Sequence, residues 1–269
     1  MQLRVGAATD IGRVRAHNED AYVSDAHQGL FVVCDGMGGE QAGEVASQLA
    51  VETILAALKS AAAAAPVDSN GYRPQTTRLA AAVRQSNVAV YEAARADEKR
   101  AGMGTTVVGA WLADNIISLA HVGDSRAYLW HAGRLEPLTT DHSLVEMQVK
   151  AGQLTREAAL VSEQQNILLR ALGREHDVDV EVNEVPVQAG DYVLLCSDGL
   201  TRMVTEDIVA EIVADVREPH WICEALIEAA NRNGGMDNVT VVVVEVIGGW
   251  WRELVNRVQR SLRRPRWRR

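Results

Sequence analysis

Long apolar runs that stop abruptly at an acid and a glycine set the pattern of this 269-residue chain. The stretch "LFVVCDGMGG", residues 30–39, is apolar up to Asp35, and three of the next four residues are glycine. "YVLLCSDGL", residues 192–200, repeats the arrangement with an apolar run, a cysteine and then Asp198 and Gly199. "GGMDNVTVVVVEV", residues 234–246, sets Asp237 just ahead of a valine run. Short apolar runs bounded by turn residues predict buried strands. Three acids therefore sit at the ends of three core strands.

Between these runs the period changes. "AGEVASQLAVETILAALKSAAAAA", residues 42–65, and "TTRLAAAVRQSNVAVYEAARADEK", residues 76–99, have the spacing of amphipathic helices, with "PVDSNGYRPQ" as the loop between them. "TTVVGAWLA" and "IISLAHVGDSRAYLWHAGRLEPLT" are rich in β-branched residues and carry "DN" and "HAG" turns, which predicts an antiparallel meander. Residues 143–166, "SLVEMQVKAGQLTREAALVSEQQN", are polar and helical in pattern, as expected of a flap inserted over one edge of the body. Strand alternation returns in residues 176–199, and "DIVAEIVA" and "ICEALIEAANRN" predict two more helices before the last strand. The order is mixed α+β, without a solenoid repeat.

Composition narrows the function classes. At 47% hydrophobic and 23% charged the chain is ordinary globular protein. Cys34, Cys196 and Cys223 form no CxxC pair, and two of them lie in apolar strands, so buried reduced thiols are expected rather than a disulfide framework. "MQLRVGAATDIGRVR" has no apolar signal region and "NVTVVVVEVIGGWW" is too short and interrupted to cross a membrane, which points to the cytoplasm. Net charge is −9, yet eight arginines and one acid in the last twenty residues give that segment +7 and leave −16 for the remainder. A body this acidic is not expected to bind nucleic acid.

Any one of Asp35, Asp198 and Asp237 is explained as well by a turn or helix cap as by a ligand. Their recurrence at three strand ends is what calls for cations, because carboxylates converging beside a core are costly without them. Oxygen donors favour magnesium, manganese or calcium over zinc. The EF-hand spacing is absent, "GMGG" lacks the dinucleotide-binding spacing, no G-K-[ST] occurs, and "GLTRM" is no nucleophile elbow.

The strings "RAHNEDAY", "VVCDGMGGEQAGEVAS", "GMGTTVVGAWL", "AHVGDSRAYLW", "LTTDHS", "LLCSDGL" and "MDNVTVVVV" occur in the order seen in one family. Across residues 5–246 the chain resembles the bacterial metal-dependent serine/threonine protein phosphatases of the PP2C family. The resemblance implies a four-layer α+β sandwich over residues 1–247, two central antiparallel sheets flanked by helices, with a dinuclear Mn²⁺ or Mg²⁺ site at one end. Carried over by position, Asp35 bridges two ions, the Gly36 carbonyl binds one of them, and Asp198 and Asp237 hold the other. Asp20, with Glu19 beside it, supports the attacking water, and Asp124 helps hold a third, weaker ion. Arg15 clamps the substrate phosphate, with Arg13 as its local rival. The implied reaction is in-line attack of an activated water on phosphoserine or phosphothreonine, without a phosphoenzyme. Many family members have histidine after "DGMGG" where this chain has Glu40, which leaves the general acid open between His17 and metal-bound water.

The ligand set separates an active phosphatase from a phosphatase-fold module that binds without turnover, and every expected ligand is present. The implied partners are phosphorylated proteins, a serine/threonine kinase among them. Beyond the resemblance, the basic tail 248–269 places Trp250, Trp251, Leu254, Val255, Val258 and Leu262 on one side of a helical template and Arg252, Arg257, Arg260 and Arg263 towards the other. That composition suits contact with an anionic membrane surface, with docking on the acidic body or on nucleic acid as alternatives.

Overall fold

Successive side chains of a strand face opposite ways, so a strand apolar at every position must be covered on both faces. The strand β3 (Leu30–Met37) meets this condition. Leu30, Val32 and Cys34 join one apolar cluster with helical residues, while Phe31 and Val33 join another that lies between two sheets. The computed structural model describes residues 1–39, 42–59, 71–159 and 161–248.

One sheet runs in the order β1 (Gln2–Asp10), β11 (Val239–Ile247), β10 (Tyr192–Cys196), β7 (Arg126–His131) and β8 (Arg134–Pro137). The other runs β2 (Asp20–Asp25), β3, β5 (Val107–Ala113), β6 (Ile116–Val122) and β9 (Glu181–Pro186), with the short β4 (Gly104–Thr105) paired to the end of β3. All of these pairings are antiparallel. Alternation divides β11 as it divides β3: Val241 and Val243 face one helical layer, and Val242 and Val244 face the other sheet.

Two helical layers close the outer faces. In α1 (Ala42–Lys59), Ala46, Ala50, Ile54 and Leu58 recur every fourth residue and are buried with α2 (Pro74–Ala96) against the β3 sheet. In α7 (Pro219–Arg232), Ile222, Leu226 and Ala230 do the same with Val209 and Val213 of α6 (Glu206–Val216), against the β11 sheet. The result is a helix–sheet–sheet–helix sandwich. Cys34, Cys196 and Cys223 are all buried free thiols. Among the described residues no helix is long and apolar enough to cross a membrane.

Three sequence expectations change. The predicted meander is two hairpins in different sheets: β5 and β6 pair in one, β7 and β8 in the other, and the chain crosses between them at Gly123, Asp124 and Ser125. Composition is the same on either side of such a crossing, so pattern alone does not show it. The N-terminal strand β1, left unassigned by the sequence pattern, pairs with β11 along nine residues, from Gln2↔Ile247 to Asp10↔Val239. Asp35 lies inside β3, which runs on through Gly36 to Met37, rather than at its end.

The 143–166 segment holds α3 (Leu144–Lys150) and α4 (Arg156–Ala159), with the Ser143 hydroxyl accepting from the Glu146 N–H at the start of α3. The Leu144 N–H donates to the Ile167 carbonyl and the Leu169 N–H to the His142 carbonyl, which closes the segment at its base. Glu40, residues 60–65 of the first predicted helix, residues 66–70 of the loop after it, and residues 249–269 of the tail lie outside the described residues.

Phe31, the chain's single phenylalanine, is fully buried between the two sheets. Phe31→Ala should destabilise the fold by about 3–5 kcal/mol through lost burial and an unfilled cavity; chemical denaturation of the two proteins measures it.

Candidate metal centre

Both sheets deliver carboxylates to the same end of the sandwich. On β2 and β3, Asp20 and Asp35 are directly opposed across the ladder, a pairing that like charges disfavour. From the other sheet come Asp198, the first residue of the single-turn α5 (Asp198–Thr201) after β10, and Asp237, two residues before β11. The crossing from β6 to β7 adds Asp124, which is buried. All five predicted acids are thus brought together, and the desolvated Asp35 carboxyl feels Asp198, Asp20, Asp124 and Asp237.

Hydrogen bonds fix the backbone beneath them. The Asp35 N–H donates to Thr106 Oγ1 at 3.0 Å, and its carbonyl accepts from Thr105 Oγ1 and from the Thr106 N–H, both at 2.9 Å. Ser197 Oγ donates to Asp20 Oδ2 at 2.8 Å while accepting from the Thr240 N–H at 3.0 Å, which ties the two sheets together at the site. Gly36 adjoins Asp35 for reasons of space: a Cβ there would lie 2.1 Å from the Gly43 carbonyl oxygen and 2.6 Å from that of Glu19. A glycine here allows three backbone segments to approach closely.

Burial pushes the Asp20 carboxyl up to about 7, with hydrogen bonds from Thr240 and Ser197 opposing and Asp198 and Asp237 adding. Burial likewise raises Asp124 to about 8 and carries Asp35 and Asp198 above the usual carboxylate range. Among the described residues, Asp20 Oδ1 and Asp198 Oδ1 are buried with no hydrogen-bond partner. Buried acids that repel one another and keep free oxygens are a donor set for hard divalent cations, so the residues present fit magnesium or manganese.

Two arginines reach the cluster. Arg15 Nη2 pairs with Asp237 Oδ2 at 2.8 Å, with half of the arginine side chain exposed. Arg202, which the sequence reading missed, pairs with Asp198 and lies 3.3 Å from Asp124 Oδ2. Arg13, the local rival of Arg15, donates its backbone N–H to the Gly235 carbonyl at 2.7 Å. The Glu19 carboxyl is raised by burial and takes a bond from the Gly43 backbone at the start of α1, so it braces the helix.

The sequence reading also missed Asn238 and His142. Buried Asn238 donates to the Ile11 and His17 carbonyls, both at 2.9 Å, and accepts from the Glu19 N–H at 2.8 Å, which binds the Arg15 loop to the Asp237 end of β11. An asparagine beside a predicted ligand was the available signal. His142 grips Gly123 at two points: its N–H donates to the Gly123 carbonyl at 2.8 Å, and its Nδ1 accepts from the Gly123 N–H at 3.1 Å. Gly123 has φ +114 and touches Thr106, so the turn that carries Asp124 is held from both sides. Accepting at Nδ1 leaves the His142 proton on Nε2, which faces Glu181 Oε2 at 3.1 Å. His121, opposite Glu181 in the ladder, stacks 4.7 Å from His142. These three side chains are close enough to share an ion, but the His142 tautomer spends its Nε2 on Glu181.

The family model of protein phosphatase 2C matches residues 12–220. Serine/threonine phosphatase stp of Listeria monocytogenes is 40% identical over 240 residues, which span 88% of this chain and 93% of that protein. Serine/threonine protein phosphatase PstP of Mycobacterium tuberculosis is 39% identical over 245 residues, 91% of this chain and 45% of that longer protein. The solved catalytic domain of PstP in complex with two manganese ions is 38% identical and superposes with a TM-score of 0.80, covering 91% of this chain and 99% of that one.

A carboxyl that binds its proton more tightly when folded costs nothing below about pH 4, where both states are protonated, and costs progressively more as pH rises through the folded value. In chelator the protein should therefore lose stability from about pH 5 to about pH 8, the window set by Asp20 at about 7 and Asp124 at about 8. Asp35→Asn should raise the melting temperature in chelator at the alkaline end and flatten that slope, as scanning calorimetry across the range will show.

Proposed function

This chain belongs to the protein phosphatase 2C family, bacterial type, and we infer that its converging aspartates hold the divalent cations with which it hydrolyses phosphoserine and phosphothreonine in proteins. It is a metal-dependent protein serine/threonine phosphatase. The observation that carries the residue assignment is the meeting of five aspartates from two sheets, with carboxylate oxygens left unsatisfied among the described residues.

Asp35 stands at the hub of the cluster, which suits a carboxylate shared between two ions, with the Gly36 carbonyl beside it. Asp198 would help hold an ion, since its Oδ1 has no hydrogen-bond partner among the described residues while Oδ2 carries Arg202. Asp237 takes the Asn238 N–H on Oδ1 and Arg15 on Oδ2, so its orientation is set from both sides. Asp20, held by Ser197, is placed to orient and deprotonate water at the ladder position facing Asp35. When bound, two divalent ions supply Lewis acidity that lowers the pKa of water and screens the charge of the phosphate.

Arg15 pairs with Asp237 through Nη2, and half of its side chain is exposed, which leaves guanidinium N–H groups to grip phosphate oxygens. The departing alkoxide needs a proton. His17, exposed on the same loop two residues further on, is the side-chain candidate for supplying it. Thiol nucleophiles are excluded by position: Cys34 faces the helical layer with its pKa raised by burial, and burial pushes Cys196 up to about 12. An attacking water is what family membership implies.

Asp237→Asn should cut manganese-dependent hydrolysis of a phosphothreonine peptide by more than about a hundredfold while the circular dichroism stays native. Full turnover of the variant at saturating manganese would remove Asp237 from the metal set.

Arg15→Lys should lower kcat/KM on the same peptide by about tenfold or more, because an ammonium cannot grip two phosphate oxygens in one plane. Manganese affinity measured by calorimetry should hardly change. The reverse result, with Arg13→Lys impaired and Arg15→Lys intact, would move the clamp to Arg13.

A further inference from the structure

Arg202 stands where the sequence reading expects a cation. It follows the single turn α5, and its N–H donates to the Asp198 carbonyl at 2.9 Å, so the two residues share one helical face. Its Nη2 pairs with Asp198 Oδ2 and lies 3.3 Å from Asp124 Oδ2, joining a carboxylate at the end of β10 to one in the β6–β7 crossing. The guanidinium is largely buried, with 22% of the side chain exposed. On its outer side opens a cavity of about 490 Å³, between α3–α4 and α5–α6, lined by Ser143, Glu146, Asp124, Asp198 and Arg202 itself.

We propose that Arg202 is a built-in cation that takes the place of a third divalent ion between Asp124 and Asp198, so that the centre binds two exchangeable ions. This rests on the dinuclear reading above and alters one part of the sequence expectation, the assignment of Asp124 to a third ion. Three physical points support it. A guanidinium stays charged at every accessible pH, so it does not yield its place by losing a proton. Its nitrogen already pairs with the Oδ2 atoms of Asp198 and Asp124, and Asp198 Oδ1 is left without a hydrogen-bond partner among the described residues. A divalent ion between the same carboxylates would meet like charge at contact distance. A third ion therefore enters only when Arg202 swings into the neighbouring cavity and gives up both ion pairs.

The test is a Mn²⁺ titration of the full chain by isothermal calorimetry, with folding checked by circular dichroism. The wild-type protein and Arg202→Lys should bind two ions, Arg202→Gln should gain one further Mn²⁺ per chain, and adding Asp124→Asn to Arg202→Gln should remove it. A folded Arg202→Gln variant with the wild-type stoichiometry would overturn the proposal. Should Arg202→Gln fail to fold, the comparison of wild type with Asp124→Asn decides: unchanged stoichiometry supports the proposal, and loss of an ion overturns it. Asp237→Asn is the control for the underlying reading. If it leaves the titration unaltered, the dinuclear assignment fails, whatever Arg202 does.

Discussion

Repulsion among carboxylates gathered at one end of the sandwich is the constraint on which the rest of the site depends. Asp20 and Asp35 face each other across a ladder, and Asp198, Asp237 and Asp124 approach from the second sheet and its crossing. Desolvation raises the first two, Asp198 and Asp124 together, so the metal-free fold holds a strained electrostatic arrangement that only cations or protons relieve. Arg15 and Arg202 relieve part of it, and two arginines against five aspartates still leave an excess of negative charge. That excess suits the cluster to divalent ions.

Holding such a cluster requires a scaffold that cannot relax away from it. Two sheets packed through Phe31, Val108, Leu195 and Val242 supply the stiffness, and their helical layers cover the outer faces. The joins between sheets lie at the site itself: Ser197 links Asp20 to Thr240, Asn238 links the Arg15 loop to β11, and His142 pins the turn of Asp124. A catalytic geometry built this way depends on polar residues that touch neither ion nor substrate. The flap is rooted at the same place, since the His142 carbonyl receives the Leu169 N–H that closes its base. The base of this segment and the turn that carries Asp124 thus share one residue.

Arg202 gives the centre a character of its own. A fixed charge between Asp124 and Asp198 borders a cavity that residues of α3 and α4 also line.

Much of this was written in the sequence. The apolar runs ending in Asp35 and Asp198, and the one that follows Asp237, marked three acids that the fold brings together at one end, and the seven ordered strings named the family. The helices predicted over residues 42–65, 76–99, 207–214 and 222–233 have their counterparts at 42–59, 74–96, 206–216 and 219–232, with ends that differ by a few residues where both are described, since period and composition are local properties. Tertiary structure decided what periodicity does not encode. The "GDS" stretch reads as an ordinary hairpin turn, yet it crosses between sheets, because strand partners are chosen by packing across the sandwich and not by neighbours in sequence. β1 pairs with β11 at the far end of the chain for the same reason. Asn238, Ser197, His142 and Arg202 were silent in the sequence because a polar residue acquires its role only from the partner it meets, and Glu19, Asp20, Gly123 and Asp124, which they meet, are distant from them along the chain.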